Sequence, residues 1–353
     1  MTPTKATVSR HSAQTDTLVG MLEHALEHAP DDLGYRFLAN GKRVEATLSY
    51  RRLAHSASAI GAWLRQHTTP GSPVLLLYPP GLDFLSAFFG CLCASTIAVP
   101  VYPPDPTRLG RTLPRLQTIA ADAGATVVLT TSAVESMFRF VLDQAPDLAA
   151  MTWLCTDQAP DQDTDHWQPP QISADTPAFL QYTSGSTSAP RGVVIRHGNL
   201  TANLALMHRV FDNGPDSHAV NWLPLYHDMG LIGAILQPLY ALHPGSFMSP
   251  LTFLSNPVSW LEAISTLGGT HCGGPNFGYH LCVGRVSQEA LESLDLSSWR
   301  LAFNGAEPIR ADTMARFAKR FAPCGFRPEA FFPCYGLAEA TLYVSGGPIE
   351  AAP

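Results

Sequence analysis

Four stretches of this sequence gather residue types that can do chemistry. In Tyr182-Thr-Ser-Gly-Ser-Thr-Ser-Ala-Pro-Arg-Gly-Val193, five hydroxyl residues surround Gly185 and a permanent cation, Arg191, follows. Hydroxyls and free backbone N–H groups together cradle anions such as a polyphosphate. A solvated hairpin turn uses the same residue types, so the segment alone leaves both open. It is not a Walker A loop, because no G-K-[ST] follows and the next element has the composition of a strand. In Trp222-Leu-Pro-Leu-Tyr-His-Asp-Met-Gly-Leu-Ile-Gly233, His227 and Asp228 stand where an apolar strand gives way to an apolar helix. The plain account makes Asp228 a helix N-cap and His227 a loop residue. The functional account places His227 in the crevice at a strand's carboxyl end, facing a reacting group. A hydrolase dyad is excluded, since the chain has no G-x-S-x-G elbow to supply the nucleophile. Phe303-Asn-Gly-Ala-Glu-Pro308 and Phe331-Phe-Pro-Cys-Tyr-Gly-Leu-Ala-Glu-Ala-Thr341 each begin at the end of an apolar strand. The flat backbone of Gly305-Ala306 suits a planar base, Tyr335 offers an aromatic face, and Glu339 is a hard oxygen ligand suited to Mg²⁺ with phosphates. Equally, Gly336 can simply turn the chain and Glu339 can face solvent.

Elements of a definite kind must position these residues. Leu18, Met21, Leu22, Ala25 and Leu26 recur at helical spacing after a cap at Asp16 or Thr17. Apolar runs at 74–78, 97–101 and 126–130 read as strands, alternating with helices at 84–94 and 112–121. The pattern resumes with strands at 178–182, 193–196 and 219–222 and helices at 199–211 and 229–242. Such alternation predicts an α/β fold with parallel sheets covered on both faces. The polar, Pro-rich stretch 157–177 reads as a surface connection, dividing the chain into two α/β units, 1–175 and 176–353.

A chain of 353 residues has room for two or three domains. Only 14% of residues are charged and the net charge is −7, so no broad basic face exists to neutralise a nucleic-acid backbone. Seven cysteines without a C-x-x-C spacing, mostly in apolar segments, read as buried thiols of a reducing cytoplasm. The first fifteen residues contain no apolar run to serve as a signal peptide. The uncharged stretch 84–104 approaches the length of a membrane span, but Gly90, Ser95, Thr96 and three prolines break it into a buried helix and a strand. His24-Ala-Leu-Glu-His28 fits an H-x-x-E-H metal motif, yet it lies beside an apolar helical stripe with no third ligand in view. Helix 231–242, rich in Leu, Ile and Ala, suits either a tunnel wall for a fatty chain or a plain core helix.

Taken in order, YPPGLDF (78–84), QYTSGST (181–187), LPLYHDMGLIG (223–233), GGPNF (273–277), FNGAEPIR (303–310) and YGLAEATLYVSGG (335–347) resemble the adenylate-forming superfamily. That superfamily includes acyl-CoA synthetases, nonribosomal peptide adenylation domains and luciferases, and the sequence is most similar to its fatty acyl-AMP ligases. The resemblance implies two stacked parallel-sheet α/β subdomains and a reaction of a fatty acid with ATP, giving acyl-AMP and pyrophosphate. Acyl transfer to the thiol of an acyl carrier protein follows. It further implies that Thr183, Ser184, Gly185, Ser186, Thr187 and Arg191 meet the β- and γ-phosphates, and that Gly305, Ala306, Glu307, Pro308, Tyr335 and Gly336 meet the adenine side. Glu339 would hold Mg²⁺, His227 would act at the acyl-phosphate junction, and Met229, Gly230, Gly274 and Pro275 would join it in binding substrate. The rivals are a long-chain acyl-CoA synthetase and a non-catalytic acyl- or nucleotide-binding module.

Two departures stand in the phosphate loop: Ser188 replaces the superfamily's usual Gly and Arg191 its usual Lys, which keeps the charge. The resemblance also implies a C-terminal lid domain with a catalytic Lys. The only lysines here are Lys5, Lys42 and Lys319, none in such a context. The expectation is a large N-terminal domain whose partner is its own C-terminal domain.

Overall fold

The computed structural model describes residues 15–104, 108–159, 169–183 and 190–348. Among the described residues, fourteen strands form two sheets. The strands are β1 (Leu33–Ala39), β2 (Arg43–Ser49), β3 (Pro73–Leu77), β4 (Ile97–Val101), β5 (Val127–Thr130), β6 (Thr152–Cys155) and β7 (Pro177–Thr183). They continue with β8 (Arg191–Arg196), β9 (Ala219–Asn221), β10 (Gly245–Phe247), β11 (His271–Gly274), β12 (Leu301–Asn304), β13 (Phe331–Gly336) and β14 (Tyr343–Gly346). One sheet has the order β6-β5-β3-β4-β7-β8 and the other β14-β13-β12-β11-β9-β10-β1-β2. Pairing is parallel except where a hairpin closes an edge, at β1–β2, β7–β8 and β13–β14.

This partition departs from the expected division at 175/176. Both β7 and β8 belong with the early strands, through the parallel pair Ala98↔Phe179, and β1 and β2 belong with the late ones, through Tyr35↔Gly245. Local alternation of strands and helices fixes their kind, whereas the neighbour of each strand is a long-range choice. Part of the expected connection at 157–177 lies outside the described residues.

The apolar strands pack on both faces. In β3, Val74 and Leu76 enter the main core while Leu75 and Leu77 enter a second cluster with Leu113 and Leu116, the period-2 alternation of a covered sheet. Helices Leu18–His28, Tyr50–Leu64, Leu82–Cys93 and His197–Phe211 join the main core. Thr17 caps the first of them, its Oγ1 accepting from Gly20 N at 3.1 Å. Helices Tyr50–Leu64 and Leu82–Cys93 pack closely at a glycine: a Cβ on Gly90 would stand 2.5 Å from Ile60 Cγ2. The uncharged stretch from 84 divides as expected into the buried helix Leu82–Cys93 and β4. No helix among the described residues is long and apolar enough to cross a membrane.

Candidate functional site

Thr183 at the end of β7, His227 beyond β9, Gly305 beyond β12 and Tyr335 in β13 all line one cavity of about 250 Å³. A crevice at the carboxyl ends of parallel strands is where open α/β sheets take ligands. The lining is of two kinds. Thr183, Tyr335 and Glu339 bring hydroxyl and carboxylate oxygens, and Met207, Phe211 and Leu342 bring apolar surface. The apolar part forms where helix His197–Phe211, the segment Met229–Leu236 and β14 meet, with the Phe211 and Tyr343 rings 5.6 Å apart, edge to face. A second cavity, of about 420 Å³, is lined by Tyr102, Trp222, Leu251, Pro275 and Phe277. His227, Met229 and Ala306 line both. His227 therefore stands between them.

Met229–Leu236 is a π-helix, continued by the α-helix Gln237–Ala241. Seven of its eight residues are buried, so its apolar character is mostly core packing, and only Met229 and Gly233 reach the first cavity. π-Helical turns occur frequently at functional sites. Asp228 opens it, Oδ1 accepting from Met229 N at 2.6 Å, which bears out its role as an N-cap. The same oxygen lies 2.6 Å from His227 Nδ1. Burial alone lowers the pKa of the imidazole, but the hydrogen bond and charge of Asp228 outweigh it and hold His227 above the ordinary histidine range. Gly230 is required by close approach, since a Cβ would fall 1.9 Å from the Pro224 carbonyl oxygen.

Three polar residues in otherwise apolar elements lock this arrangement. Gln181 Nε2 in β7 donates to the Tyr226 carbonyl at 2.9 Å, tying the end of that strand to the segment carrying His227. Tyr182 donates its hydroxyl to Asp122 at 2.6 Å. Asn203, 7% exposed, donates to the Tyr343 carbonyl at 2.9 Å and accepts from Tyr343 N at 3.1 Å, fixing the start of β14 to helix His197–Phe211. Two residues with side chains hold left-handed backbone beside the cavity, Ala306 at φ 67° and Thr341 at φ 76°, a conformation that costs about 1–3 kcal/mol each.

The residues singled out from sequence fare unequally. His227, Thr183, Gly305, Ala306, Tyr335, Gly336, Met229 and Glu339 gather at the first cavity. Ser184, Gly185, Ser186 and Thr187 lie outside the described residues. Arg191 is exposed at the start of β8, directly opposite Thr183. Glu307 lines the second cavity instead, where its Oε1 accepts from Phe277 N at 2.6 Å, and Pro275 lies there too. Pro308 is exposed and lines neither cavity, while Gly230 and Gly274 act by close packing, Gly274 against Trp222. On the first helix, His24, Glu27 and His28, all residues of the motif itself, bring donor atoms within 4.8 Å of one another, and among the described residues no group from another element joins them. Gln181, Asn203 and Asp122 were not singled out. The signal for the first two is a single amide side chain interrupting an apolar run.

The model of the AMP-binding enzyme family matches residues 22–352. The chain belongs to that family. Among the relatives of this AMP-binding enzyme is the medium-chain-fatty-acid acyl-carrier-protein ligase JamA of Moorena producens, 43% identical over 93% of this chain and 56% of its own length. Another is the long-chain-fatty-acid AMP ligase FadD32 of Mycolicibacterium smegmatis, 36% identical over 96% of this chain and 54% of its own. The crystal structure of a fatty acid AMP ligase from Legionella pneumophila superposes with a TM-score of 0.90 at 41% identity, over 98% of this chain and 59% of that one. A fatty acyl-adenylate ligase from L. pneumophila, in complex with acyl adenylate and pyrophosphate, gives 0.90 at 42%, over 96% and 58%. The chain thus spans a little over half the length of these relatives.

Proposed function

We propose that this AMP-binding enzyme carries the ATP- and acyl-binding site of a fatty acyl-AMP ligase, which activates a fatty acid for transfer to an acyl carrier protein. One observation carries the reading: a single cavity joins oxygen-bearing residues of β7 and β13 to an apolar end between Phe211, Gly233 and Leu342, with His227 in its wall. A ligand that is anionic and planar at one end and aliphatic at the other fits such a lining. The activities for which JamA and FadD32 are named, and the acyl adenylate and pyrophosphate in the L. pneumophila complex, support the same substrate class.

In this reading Thr183 and Arg191, paired across β7 and β8, flank the loop that holds the β- and γ-phosphates. Gly305 and Ala306 lie against one side of the adenine and Tyr335 against the other. Ala306, left-handed at φ 67°, adds only a methyl group to that wall. Glu339 and the Thr183 hydroxyl are hard oxygen donors in one cavity, the set that Mg²⁺ takes together with phosphate oxygens, and the ion would offset phosphate charge when bound. The acid's carboxylate oxygen bonds to the α-phosphorus as the bond from that phosphorus to the bridging oxygen breaks, and the electron pair leaves with pyrophosphate. No proton moves, so the protein's contribution is alignment and charge.

The deciding experiment is titration of the 353-residue chain with acyl-sulfamoyl adenosines, neutralising the need for turnover. Nanomolar to micromolar binding of the dodecanoyl compound, and weaker binding of aminoacyl compounds, is expected. The reverse preference overturns the fatty-acid assignment. Coenzyme A as acceptor is the second reading, favoured by a 35%-identical Mycobacterium tuberculosis relative named a putative fatty-acid–CoA ligase. Supplying the full-length enzyme with coenzyme A or with a holo carrier protein separates the two.

A further inference from the structure

The contact between His227 and Asp228 has a chemical consequence beyond capping a helix. Nδ1 and Oδ1 stand 2.6 Å apart, a separation that two lone pairs do not tolerate, so a proton lies between them. The Met229 N–H points toward both atoms, at 3.3 Å from Nδ1 and 2.6 Å from Asp228 Oδ1, and the nearer, charged oxygen is much the stronger acceptor. Nδ1–H is therefore committed to the carboxylate, and Nε2 is the ring atom left for a ligand. Asp228 is 8% exposed, so its charge is screened little by solvent, whereas the His227 side chain is half exposed on the wall common to both cavities.

Resting on the adenylation reading, we infer that Asp228 is a positioning residue that keeps His227 an imidazolium, presenting a fixed N–H⁺ at Nε2 to the anionic junction of carboxylate and α-phosphate. A neutral imidazole offers one proton, and Asp228 has claimed it at Nδ1. Only the cation can both hold the carboxylate and donate to substrate. Because the displacement at phosphorus transfers no proton, a standing cation is the useful state and an acid–base histidine is not needed. The other charged and titratable groups around the ring fit this. Glu339 in the first cavity and Glu307 in the second carry the sign that favours the cation. Tyr102, Tyr226, Tyr335 and Tyr343 are phenols, burial raising Tyr226 further, and Cys334 is a half-buried thiol that desolvation pushes up to about 12. Arg115, which acts on Tyr226, has the opposing sign, and the hydrogen bond with Asp228 is the direct contact.

The test uses histidine-labelled 353-residue chain followed by NMR from pH 5 to 10, with the His227 signal assigned by its loss in H227Q. Wild-type His227 is expected to titrate above the ordinary value. Asp228→Asn keeps the helix cap, since Asn caps as well as Asp, and removes only the charge. It should lower the His227 midpoint by about one unit or more. The affinity of dodecanoyl-sulfamoyl adenosine, an anion at its sulfamate nitrogen, should fall about tenfold as wild-type His227 deprotonates. That slope should move to lower pH in D228N and vanish in H227Q. A wild-type midpoint at or below 6.5, an unmoved midpoint in D228N, or the same slope in H227Q overturns the inference. Failure of the analogue to bind at any pH overturns the adenylation reading instead, and the NMR titration still decides whether Asp228 holds the cation.

Discussion

His197 offers a sharp test of the packing beneath the site. It is 1% exposed at the start of helix His197–Phe211, and its Nδ1 accepts from Leu18 N, the first amide of helix Leu18–His28, at 3.1 Å. The bond requires an unprotonated Nδ1, and two helix N-termini meet there, both unfavourable to a cation. Burial accordingly lowers its pKa from 6.5 to about 4. The folded pKa is below the unfolded one, so the contribution to stability is fully present above pH 6.5 and is lost as pH falls toward 4. The loss amounts to about 2 kcal/mol at pH 5 and about 3 kcal/mol at pH 4. His197→Asn keeps an acceptor for Leu18 N but cannot titrate. Urea unfolding from pH 8 to pH 4 should therefore show the variant gaining on the wild type by about these amounts. His218, His243 and His271, lowered by burial to about 4, 3 and 4, titrate in both proteins and cancel in the difference. Parallel stability curves for the two proteins would refute the assignment of a buried, neutral His197.

Replacing Arg191 by Ala should weaken ATP binding about tenfold or more, the effect of losing a charge-assisted phosphate contact, and equilibrium dialysis would detect it; an unchanged affinity returns Arg191 to the surface. Lengthening the acyl chain of the sulfamoyl adenosines should add up to about 0.8 kcal/mol per methylene until the apolar end is full, so calorimetry should show affinity climbing and then levelling. Affinity independent of chain length would place the acyl group outside the cavity. Asn203→Leu strands the Tyr343 N–H and carbonyl without their partners and should cost about 1–3 kcal/mol in thermal unfolding; a smaller loss would mean that β14 is held by other contacts.

Strand β3 was legible because its residues are uniformly apolar between breakers, and the cap at Thr17 because its hydroxyl precedes a helical stripe. The β1–β2 hairpin escaped: Arg43–Thr47 are exposed but for no regular alternation, so no period marks them. A signal did exist, since Asn40-Gly41 take φ values of 53° and 74°, the two left-handed residues of a tight hairpin turn. Segment 229–242 read as one helix, but a segment buried almost all round carries no amphipathic stripe to separate a π-helix from an α-helix. At the site, motif residues such as His227 and Glu339 were legible from type and place. Gln181 and Asn203 were not, because their partners lie 45 and 140 positions away and nothing local records them.

The interleaving of the two sheets bears on how the chain comes to be folded at all. A hairpin made among the first fifty residues finds its neighbour β10 only some two hundred residues later, while β9 to β14 close the sheet from the other end. Contacts of such separation form slowly, since loop closure is opposed by chain entropy before any pairing rewards it. During synthesis the strand edge of β1 stays open, and a chain emerging at 5–20 residues per second leaves it so for on the order of ten seconds or more. Cutting at 175 would yield two pieces with complementary open edges rather than two domains. The hairpin's exposed Arg43 and Glu45 put charge along β2, the outer strand of the finished sheet, the kind of residue that discourages edge-to-edge pairing there.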